Sequence, residues 1–248
     1  LFITSVNESI ESYLREFEQI TLQIYHPEIH SLVNQVNYLW DGHSNWTYEN
    51  AKNKMLAPFY IWRGSIQYNR DILSILFSDQ HGEYYVKQGL IPTKSGLNLM
   101  ESEVFKKTLN GMYKLTISVE DANKWFDISE KIKNEKIVII GRKIVNTIRA
   151  KNLGLLFIVI DLDSITKSVN KLVGEQKGIF IILDEKEQVI FSTDPTKNDV
   201  LNHINVEDFY NERDAIEFDG DKYMLKTFKS SLAGWTYINL ISYSEILK

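Results

Sequence analysis

The feature of this sequence that most constrains its fold is a pattern of strands and turns that occurs twice. Each half contains two apolar, β-type runs separated by a short polar turn, over residues 72–87 in the first half and 178–192 in the second. Such runs on either side of turn residues predict a β-hairpin in each half. Asp79 and Asp184 open the two turns, so the hairpins correspond at this point.

The two halves also close in the same way. Gly154 and Gly234 each precede an apolar strand, and the strand leads directly into a helical pattern that begins at Asp163 or Ser244. An internal repeat of this kind predicts two similar α/β modules in tandem. Further strands are expected at 113–119, 136–145, 155–161, 215–218, 222–228 and 235–241, and short helices at 101–110 and 206–211.

The N-terminal segment carries a heptad pattern of apolar residues with polar residues between them, which predicts a long helix over about residues 1–26. Two interpretations of this stripe remain open: it packs on the helix's own domain, or it pairs with the same helix of a second copy. Pro27 fits the first turn of a second helix, expected to run to about Tyr38, and a third helix is expected from Tyr48. The stripe consists of Val6, Ile10, Tyr13, Phe17, Ile20 and Ile24.

Composition excludes several classes of function. The chain has 248 residues and a net charge of −5, which is not the basic excess of a nucleic-acid-binding protein. It contains no cysteine, so disulfides, thiolate zinc sites and cysteine nucleophiles are excluded. The five histidines lack carboxylates at metal-ligand spacings, and nucleotide-binding and hydrolase motifs are absent. We therefore predict no catalytic residues, no metal site and no cofactor.

Two acidic motifs are interpreted as structural. Asp161 and Asp163 stand where a strand meets a helix, and we interpret them as helix caps rather than as a catalytic pair. The sequence from Asp219 to Asp221 lies between two predicted strands and is interpreted as a hairpin turn rather than a calcium loop.

Aromatic residues are dense in the first half, and polar residues lie among them. Aromatic faces with a few polar groups are typical of small-molecule pockets, although each aromatic residue alone is also compatible with ordinary core packing. Arg142, on an apolar strand, and Glu120 and Asp127, in the loop expected beside it, supply charge. The candidate ligand-binding residues are Tyr84, Phe105, Tyr113, Glu120, Trp125, Asp127 and Arg142.

Three stretches, at 153–165, 178–192 and 232–247, resemble the double Cache domain, the extracytoplasmic sensor of many bacterial receptors. The resemblance covers essentially the whole chain. It implies an α+β fold with a long N-terminal helix followed by two tandem PAS-like modules with antiparallel sheets. The implied parts are N-terminal stalk helices over 1–40, a membrane-distal module over 41–165, and a membrane-proximal module with the start of an exit helix over 166–248.

The resemblance is greatest to the sensor regions of Gram-positive histidine kinases. It implies a non-enzymatic, small-molecule-sensing domain on the extracellular side of the membrane, tethered by flanking transmembrane helices and homodimeric in the intact receptor. A chemoreceptor or cyclic-dinucleotide synthase ectodomain, a secreted solute-binding protein and a purely dimerising ectodomain are the alternatives. In the amino-acid-binding branch an Arg-x-Trp-Tyr-like signature opens one helix. The matching residues here are Ser102, Glu103, Val104 and Phe105, of which only Phe105 is aromatic.

Overall fold

The computed structural model describes residues 2–25, 71–82, 84–86, 93–111, 114–127, 135–146, 151–174, 178–204 and 215–246. The helices expected after Pro27, from Tyr48 and at 206–211 lie outside these residues. The chain divides into two compact units, which we name by their sheets. The sheet-1 unit comprises Leu14–Ser164, and the sheet-2 unit comprises Leu1–Tyr13 together with Ile165–Lys248.

The predicted N-terminal helix is confirmed as α1, Phe2–Leu22, which continues as a 3₁₀ turn over Gln23–Tyr25. Its apolar stripe is buried in the chain itself; of the predicted members whose side chains the structure describes, Tyr13 alone is half-buried. The side chain of Ile24 lies outside the described residues. The interpretation in which the stripe packs on its own chain is therefore the one observed for the described members. The buried apolar residues of the stripe are Ile3, Val6, Ile10, Leu14, Phe17 and Ile20.

Sheet 1 consists of β1 (Ile72–Ser78), β2 (Tyr84–Val86), β3 (Thr116–Asp121), β4 (Lys136–Asn146) and β5 (Lys151–Asp161). The strand order is β2-β1-β5-β4-β3, and every neighbouring pair is antiparallel. A 3₁₀ turn at Leu99–Glu101, helix α2 (Glu103–Asn110) and the short helix α3 (Ala122–Trp125) accompany the sheet. The predicted strands are confirmed with shifted ends. The loop expected at residue 120 is wrong, because β3 extends through it.

Sheet 2 consists of β6 (Ile179–Leu183), β7 (Val189–Ser192), β8 (Ala215–Phe218), β9 (Asp221–Lys229) and β10 (Thr236–Ser242). Its order, β7-β6-β10-β9-β8, repeats that of sheet 1, again with antiparallel neighbours throughout. Helix α4 (Leu162–Val173) precedes the sheet, a 3₁₀ helix at Pro195–His203 follows β7, and α5 (Tyr243–Ile246) follows β10. The expected tandem of similar modules is therefore present.

The two hairpin turns are stabilised by the same device. Asp79 Oδ1 accepts a hydrogen bond from the backbone N–H of His81 at 2.8 Å. Asp184 Oδ1 accepts from the N–H groups of Lys186 and Gln188 at 2.8 and 2.9 Å. Both aspartates are buried. An aspartate that bonds its own backbone two residues on fixes a tight turn, so the repeat extends to side-chain detail.

The hairpin interpretation is confirmed, and the cap interpretation is confirmed for Asp161 but not for Asp163. Asp161 Oδ1 accepts from the N–H of Asp163 at 3.0 Å and thereby caps the start of α4, whereas Asp163 lies inside the first turn of the helix. Asp219 and Gly220 have φ angles of 53° and 79°, as in the two-residue turn of a tight hairpin between β8 and β9.

The glycines of the two closing strands differ, and the prediction that both precede their strands is wrong for Gly154. Gly154 lies inside β5, where a Cβ atom would overlap the buried ring of Phe77. Gly234 lies in the turn before β10 with a φ angle of 72°, and a Cβ there would meet only Glu185, at 3.8 Å. Close packing against Phe77 requires a glycine at position 154, whereas the positive φ angle favours a glycine at position 234.

Each sheet is covered on both faces. One face of sheet 1 carries the apolar cluster that includes residues of α2 and α3. One face of sheet 2 carries a cluster that includes Val200 of the 3₁₀ helix. The opposite face of each sheet meets α1, sheet 1 near Thr21 and sheet 2 near Phe2. In the part of the chain that the structure describes, no helix has the length and apolar character needed to cross a membrane.

Candidate functional site

The charged residues predicted for the site lie on opposite faces of sheet 1. Glu120 on β3 is paired with Ile137 on β4, and Ile137 belongs to the apolar cluster with α2 and α3. Arg142 lies five residues beyond Ile137 on β4, and side chains alternate along a strand. The Arg142 side chain therefore lies on the face that meets α1, and its contacts confirm this.

Glu120 forms the polar centre of the α2 and α3 face. Its side chain is buried, at 7% exposure, yet both carboxylate oxygens have donors. Oε1 accepts from the Ser102 hydroxyl at 2.8 Å and from the Val104 N–H at 3.0 Å. Oε2 accepts from the indole Nε1–H of Trp125 at 2.9 Å. We call Ser102, Val104, Glu120 and Trp125 the Glu120 cluster. A carboxylate with donors on both oxygens is stabilised in a buried place.

The start of α2 explains why the donors converge on Glu120. Ser102 is the N-cap of α2, and its Oγ accepts from the Phe105 N–H at 3.4 Å while its own hydrogen points to Glu120. The N–H of Val104 belongs to the first turn, where backbone donors have no partner within the helix. The carboxylate of Glu120 supplies such a partner, and its negative charge is favourable at a helix N-terminus.

Arg142 fastens α1 to β4. Its Nε–H donates to the Thr21 hydroxyl oxygen at 2.7 Å, and its Nη2 donates to Glu18 Oε1 at 3.0 Å. Thr21 in turn donates to the backbone oxygen of Glu18 at 2.6 Å. We call Arg142, Glu18 and Thr21 the Arg142 clamp. One turn further, the N–H of Val145 donates to the Tyr25 hydroxyl at 3.2 Å. A guanidinium with two oriented acceptors fixes the position of a helix on a sheet.

The remaining predicted residues divide into three groups. Phe105 and Trp125 are fully buried members of the apolar cluster on the Glu120 face, and the rings of Phe105 and Phe157 are 6.1 Å apart. Asp127 is exposed. The Tyr84 side chain and Tyr113 lie outside the described residues. The structure thus brings Phe105, Glu120 and Trp125 together and separates Arg142 from them, and the ligand-binding role of all seven stays a prediction.

Sequence reasoning missed the partners of both charged residues. Ser102 follows a standard signal, a serine just before an apolar helical pattern, but the pattern does not indicate that its hydroxyl meets a strand residue. Glu18 and Thr21 lie on α1 among other polar residues, and nothing local distinguishes them from exposed neighbours.

Asp121, next to Glu120 at the end of β3, forms an ion pair at the surface. Lys136 Nζ donates to Asp121 Oδ1 at 2.7 Å, and Lys124 lies 3.4 Å from Oδ2. The hydrogen bond from Lys136 lowers the pKa of the Asp121 carboxyl below its usual value, and partial burial opposes this. Among the described residues, no three His, Asp or Glu side chains are grouped to hold a metal ion.

No protein-family model and no curated protein matches the sequence, whereas solved structures match over almost its whole length. The ligand-binding domain of the Campylobacter jejuni chemoreceptor Tlp3, in complex with L-norvaline, is 14% identical with a TM-score of 0.64; the match covers 100% of this chain and 90% of that one. The ligand-binding domain of the Pseudomonas aeruginosa amino acid chemoreceptor PctC, in complex with GABA, is 12% identical with a TM-score of 0.55, covering 96% and 95%. That of the Pseudomonas fluorescens chemoreceptor CtaA, in complex with L-isoleucine, is 10% identical with a TM-score of 0.53, covering 98% and 97%.

At these identities the likeness shows the fold. An N-terminal helix and two antiparallel sheets form the architecture of these sensor domains, and the expected double Cache fold is confirmed.

Proposed function

We propose that the chain is the extracytoplasmic small-molecule-sensing domain of a transmembrane signalling receptor, without enzymatic activity of its own. The observation that supports this most is the likeness, over almost the whole chain, to the ligand-binding domains of three chemoreceptors. A shared fold alone does not assign a function, so the proposal also depends on the chemistry of a site.

The proposed ligand site lies on the face of sheet 1 that carries the Glu120 cluster. Aromatic side chains and one carboxylate meet there, and such a combination of stacking surface and oriented polar groups is what a small polar ligand requires. Tyr84, Tyr113 and Asp127 remain proposed contributors. We leave Arg142 out of the site, because its guanidinium is engaged by α1 on the other face.

The cluster also indicates what the ligand presents. At the start of α2, Ser102 and Val104 stand where the signature described above has its arginine and tryptophan, so this segment offers no guanidinium of its own to a ligand carboxylate. The neighbouring polar group is the carboxylate of Glu120, which accepts hydrogen bonds only. We propose that the ligand presents a donor, such as an ammonium or hydroxyl group, that competes with Ser102 for Glu120.

Thermal-shift screening followed by calorimetry tests the proposed site. The probes are L-norvaline, L-isoleucine and GABA beside amines and polyols without a carboxylate, and a ligand selective for the folded chain raises its melting temperature. For any probe that binds, we expect Glu120→Gln to lower affinity about tenfold, because the ligand's donor loses a charged acceptor worth about 1.4 kcal/mol. Trp125→Phe should lower affinity less, because it removes only the N–H that orients Glu120.

Glu217→Gln on β8 is the matched control, because Glu217 is an exposed carboxylate on the corresponding strand of sheet 2. We expect it to leave affinity unchanged. Normal binding by both Trp125→Phe and Glu120→Gln, with the fold intact, would place the ligand elsewhere. Failure of every probe to bind would favour a purely dimerising ectodomain.

The output of the receptor is a separate part of the proposal. The sequence resemblance favours a sensor histidine kinase, whereas all three reported structural neighbours are chemoreceptor domains and favour a chemoreceptor as the second candidate. The full-length gene decides between them. A histidine kinase would encode a kinase core after the sensor, whereas a chemoreceptor would encode a signalling region there.

We further propose that the intact receptor is a homodimer, tethered so that sheet 1 is membrane-distal and sheet 2 membrane-proximal on the extracellular side. The full-length sequence should then carry an apolar span of about 20 residues on each side of residues 1–248. Absence of both spans would instead favour a secreted solute-binding protein. Crosslinking of the full-length receptor in membranes tests the homodimer, and a purely monomeric pattern would contradict it.

A further inference from the structure

A row of buried polar groups lies where the first half of α1 packs on sheet 2. Tyr237 of β10 is fully buried, and its ring contacts those of Phe180 and Phe228. The ring of Phe180 also meets Phe2 of α1, with ring centroids 5.8 Å apart. Tyr237 therefore lies on the face of sheet 2 that α1 covers.

Three polar atoms in this region have no hydrogen-bond partner among the described residues: Asn7 Oδ1, Trp235 Nε1 and the Tyr237 hydroxyl. All three residues are at most 5% exposed. Trp235 precedes Tyr237 by two residues, and side chains two apart in an extended segment point to the same face. Buried polar groups without partners destabilise the arrangement that contains them, and native structures rarely keep them without a reason.

Glu11 connects these groups. It lies one helical turn after Asn7 and therefore on the same face of α1. Its Oε1 accepts from the Ser230 hydroxyl at 2.8 Å, while Ser230 Oγ itself accepts from the N–H of Ala233 at 3.1 Å. Burial, and then the negative charge of Glu11, raises the pKa of the Tyr237 hydroxyl above its usual value. The Glu11 carboxylate thus interacts electrostatically with the hydroxyls of both Ser230 and Tyr237, and it is hydrogen-bonded to that of Ser230.

We propose that Glu11 is a two-position contact: it binds Ser230 in this structure, and it binds Tyr237 in a second arrangement reached by a small displacement of residues 1–13 along sheet 2. The exchange gives the Tyr237 hydroxyl the partner it lacks. Ser230 still holds the Ala233 N–H after the exchange. The exchange replaces one hydrogen bond from a hydroxyl to the Glu11 carboxylate by another of the same kind, so the two arrangements are close in free energy, which is the property of a switching element.

The chemistry of the contact between Glu11 and Ser230 favours exchange over a fixed contact. A single hydrogen bond between a carboxylate and a hydroxyl has none of the paired, oriented donors that a guanidinium offers. Under the proposed function, a signal reaching α1 would select between the two arrangements. That role rests on the proposed function, whereas the exchange itself is a property of the chain without ligand.

A double-mutant cycle on the 248-residue chain, without ligand, tests the exchange. Tyr237→Phe removes a hydroxyl that is unpartnered in this structure, so we expect its melting temperature to be unchanged or higher. Ser230→Ala shifts Glu11 to Tyr237 and also leaves the Ala233 N–H without its acceptor, so we expect a moderate fall in melting temperature; the loss at Ala233 is the same in the double variant and cancels in the cycle. The double variant loses both arrangements, and we expect its melting temperature to fall by about 3 °C more than the sum of the single changes.

Two controls identify Glu11 as the shared partner. Tyr223→Phe, which removes a hydroxyl on the other face of sheet 2, should be additive with Ser230→Ala. In a Glu11→Ala background, the coupling between Tyr237→Phe and Ser230→Ala should vanish. Sucrose stabilises folded states generally, so the cycle is measured in sucrose if the double variant does not fold in buffer.

An additive cycle would overturn the exchange, and so would a clear loss of stability in Tyr237→Phe alone, since the hydroxyl would then already be bonded, for example to a trapped water. Because the cycle uses no ligand, its failure leaves the proposed sensing function intact. Absence of ligand binding, conversely, leaves the exchange intact.

Discussion

Helix α1 meets sheet 1 through a charged side chain and sheet 2 through neutral hydroxyl, amide and indole groups beside one carboxylate. In the sheet-1 unit, the Arg142 clamp places a guanidinium between two acceptors of α1. In the sheet-2 unit, Glu11 has Ser230 as a hydrogen-bond partner while Tyr237 has none among the described residues. Two sheets with the same strand order thus hold one helix by contacts of different chemistry.

The carboxylates on the two corresponding strands also differ. Glu120, on β3, is buried and bonded on both oxygens, on the face of sheet 1 that carries α2 and α3. Glu217, on β8, is exposed, is paired with Lys222, and lies on the face opposite the apolar cluster that contains Ile216 and Phe218. Sheet 1 therefore contains buried charge on both faces. Buried charged groups require defined partners, so they specify one arrangement more strictly than apolar packing does.

The largest effect is expected when the Arg142 clamp is broken. Arg142→Ala removes the buried guanidinium that donates to Glu18 Oε1 and to the Thr21 hydroxyl, and we expect the free energy of unfolding to fall by about 3 kcal/mol. Arg15→Ala is the matched control, because Arg15 contacts the same Glu18 at 3.5 Å but is exposed; its loss should stay below about 0.5 kcal/mol. Urea denaturation measures both. Equal losses would show that the clamp does not fasten α1.

A second test compares the two closing glycines. Gly154→Ala forces a methyl group into the buried ring of Phe77 and should reduce the free energy of unfolding by about 2 kcal/mol. Gly234→Asn should have a smaller effect, because asparagine tolerates the positive φ of that turn and meets no close neighbour. Thermal unfolding ranks the two variants, and a larger loss for Gly234→Asn would contradict the distinction drawn between the glycines.

Glu120→Gln sharpens the comparison of the buried carboxylate of β3 with the exposed carboxylate of β8. The amide group turns a donor toward either Trp125 or the Ser102 and Val104 pair, so one hydrogen bond is lost and the charge-assisted character of the others disappears. We expect a decrease of about 1.5 kcal/mol in the free energy of unfolding. The exposed carboxylate of Glu217, changed to Gln, should alter stability by less than about 0.5 kcal/mol. If both changes are equally mild, Glu120 does not organise its face.

The smallest effect is expected at Asp121, whose ion pair is partly exposed. Because Lys136 lowers the folded-state pKa of Asp121, its contribution to stability is present above the unfolded pKa and is lost as the pH falls through the folded pKa. Solvent screening keeps this contribution below about 0.5 kcal/mol. Asp121→Asn should therefore be slightly less stable than the native chain at neutral pH and equal to it in acid. A difference in stability that persists at acid pH would have packing, rather than the ion pair, as its cause.

Much of the fold was predictable because local sequence patterns indicate it. The heptad stripe of α1, the hairpin turns at Asp79 and Asp184 and the cap at Asp161 are signals within a few residues of each other, and the structure confirms them. The internal repeat then implied two similar sheets, and their strand orders agree.

The site was harder to predict because strands buried on both faces do not alternate in polarity. The apolar run of β4 gives no sign of which residues share a face, so Arg142 was grouped with Glu120 although the two point in opposite directions. The partners of both residues are remote in sequence. Thr21 and Ser102 reach them only after the sheet has formed, and no local pattern reports such contacts.

The division of α1 between the two units has a consequence for the order in which the protein matures. Residues Leu1–Tyr13 are synthesised first, yet they belong to the unit whose strands are synthesised last. The sheet-1 unit can be completed once Ser164 has emerged, whereas Ile3, Val6 and Ile10 have no sheet 2 to cover until β10 follows. The beginning of the chain is therefore among the last parts to reach its native place, and its apolar face needs protection from aggregation throughout synthesis.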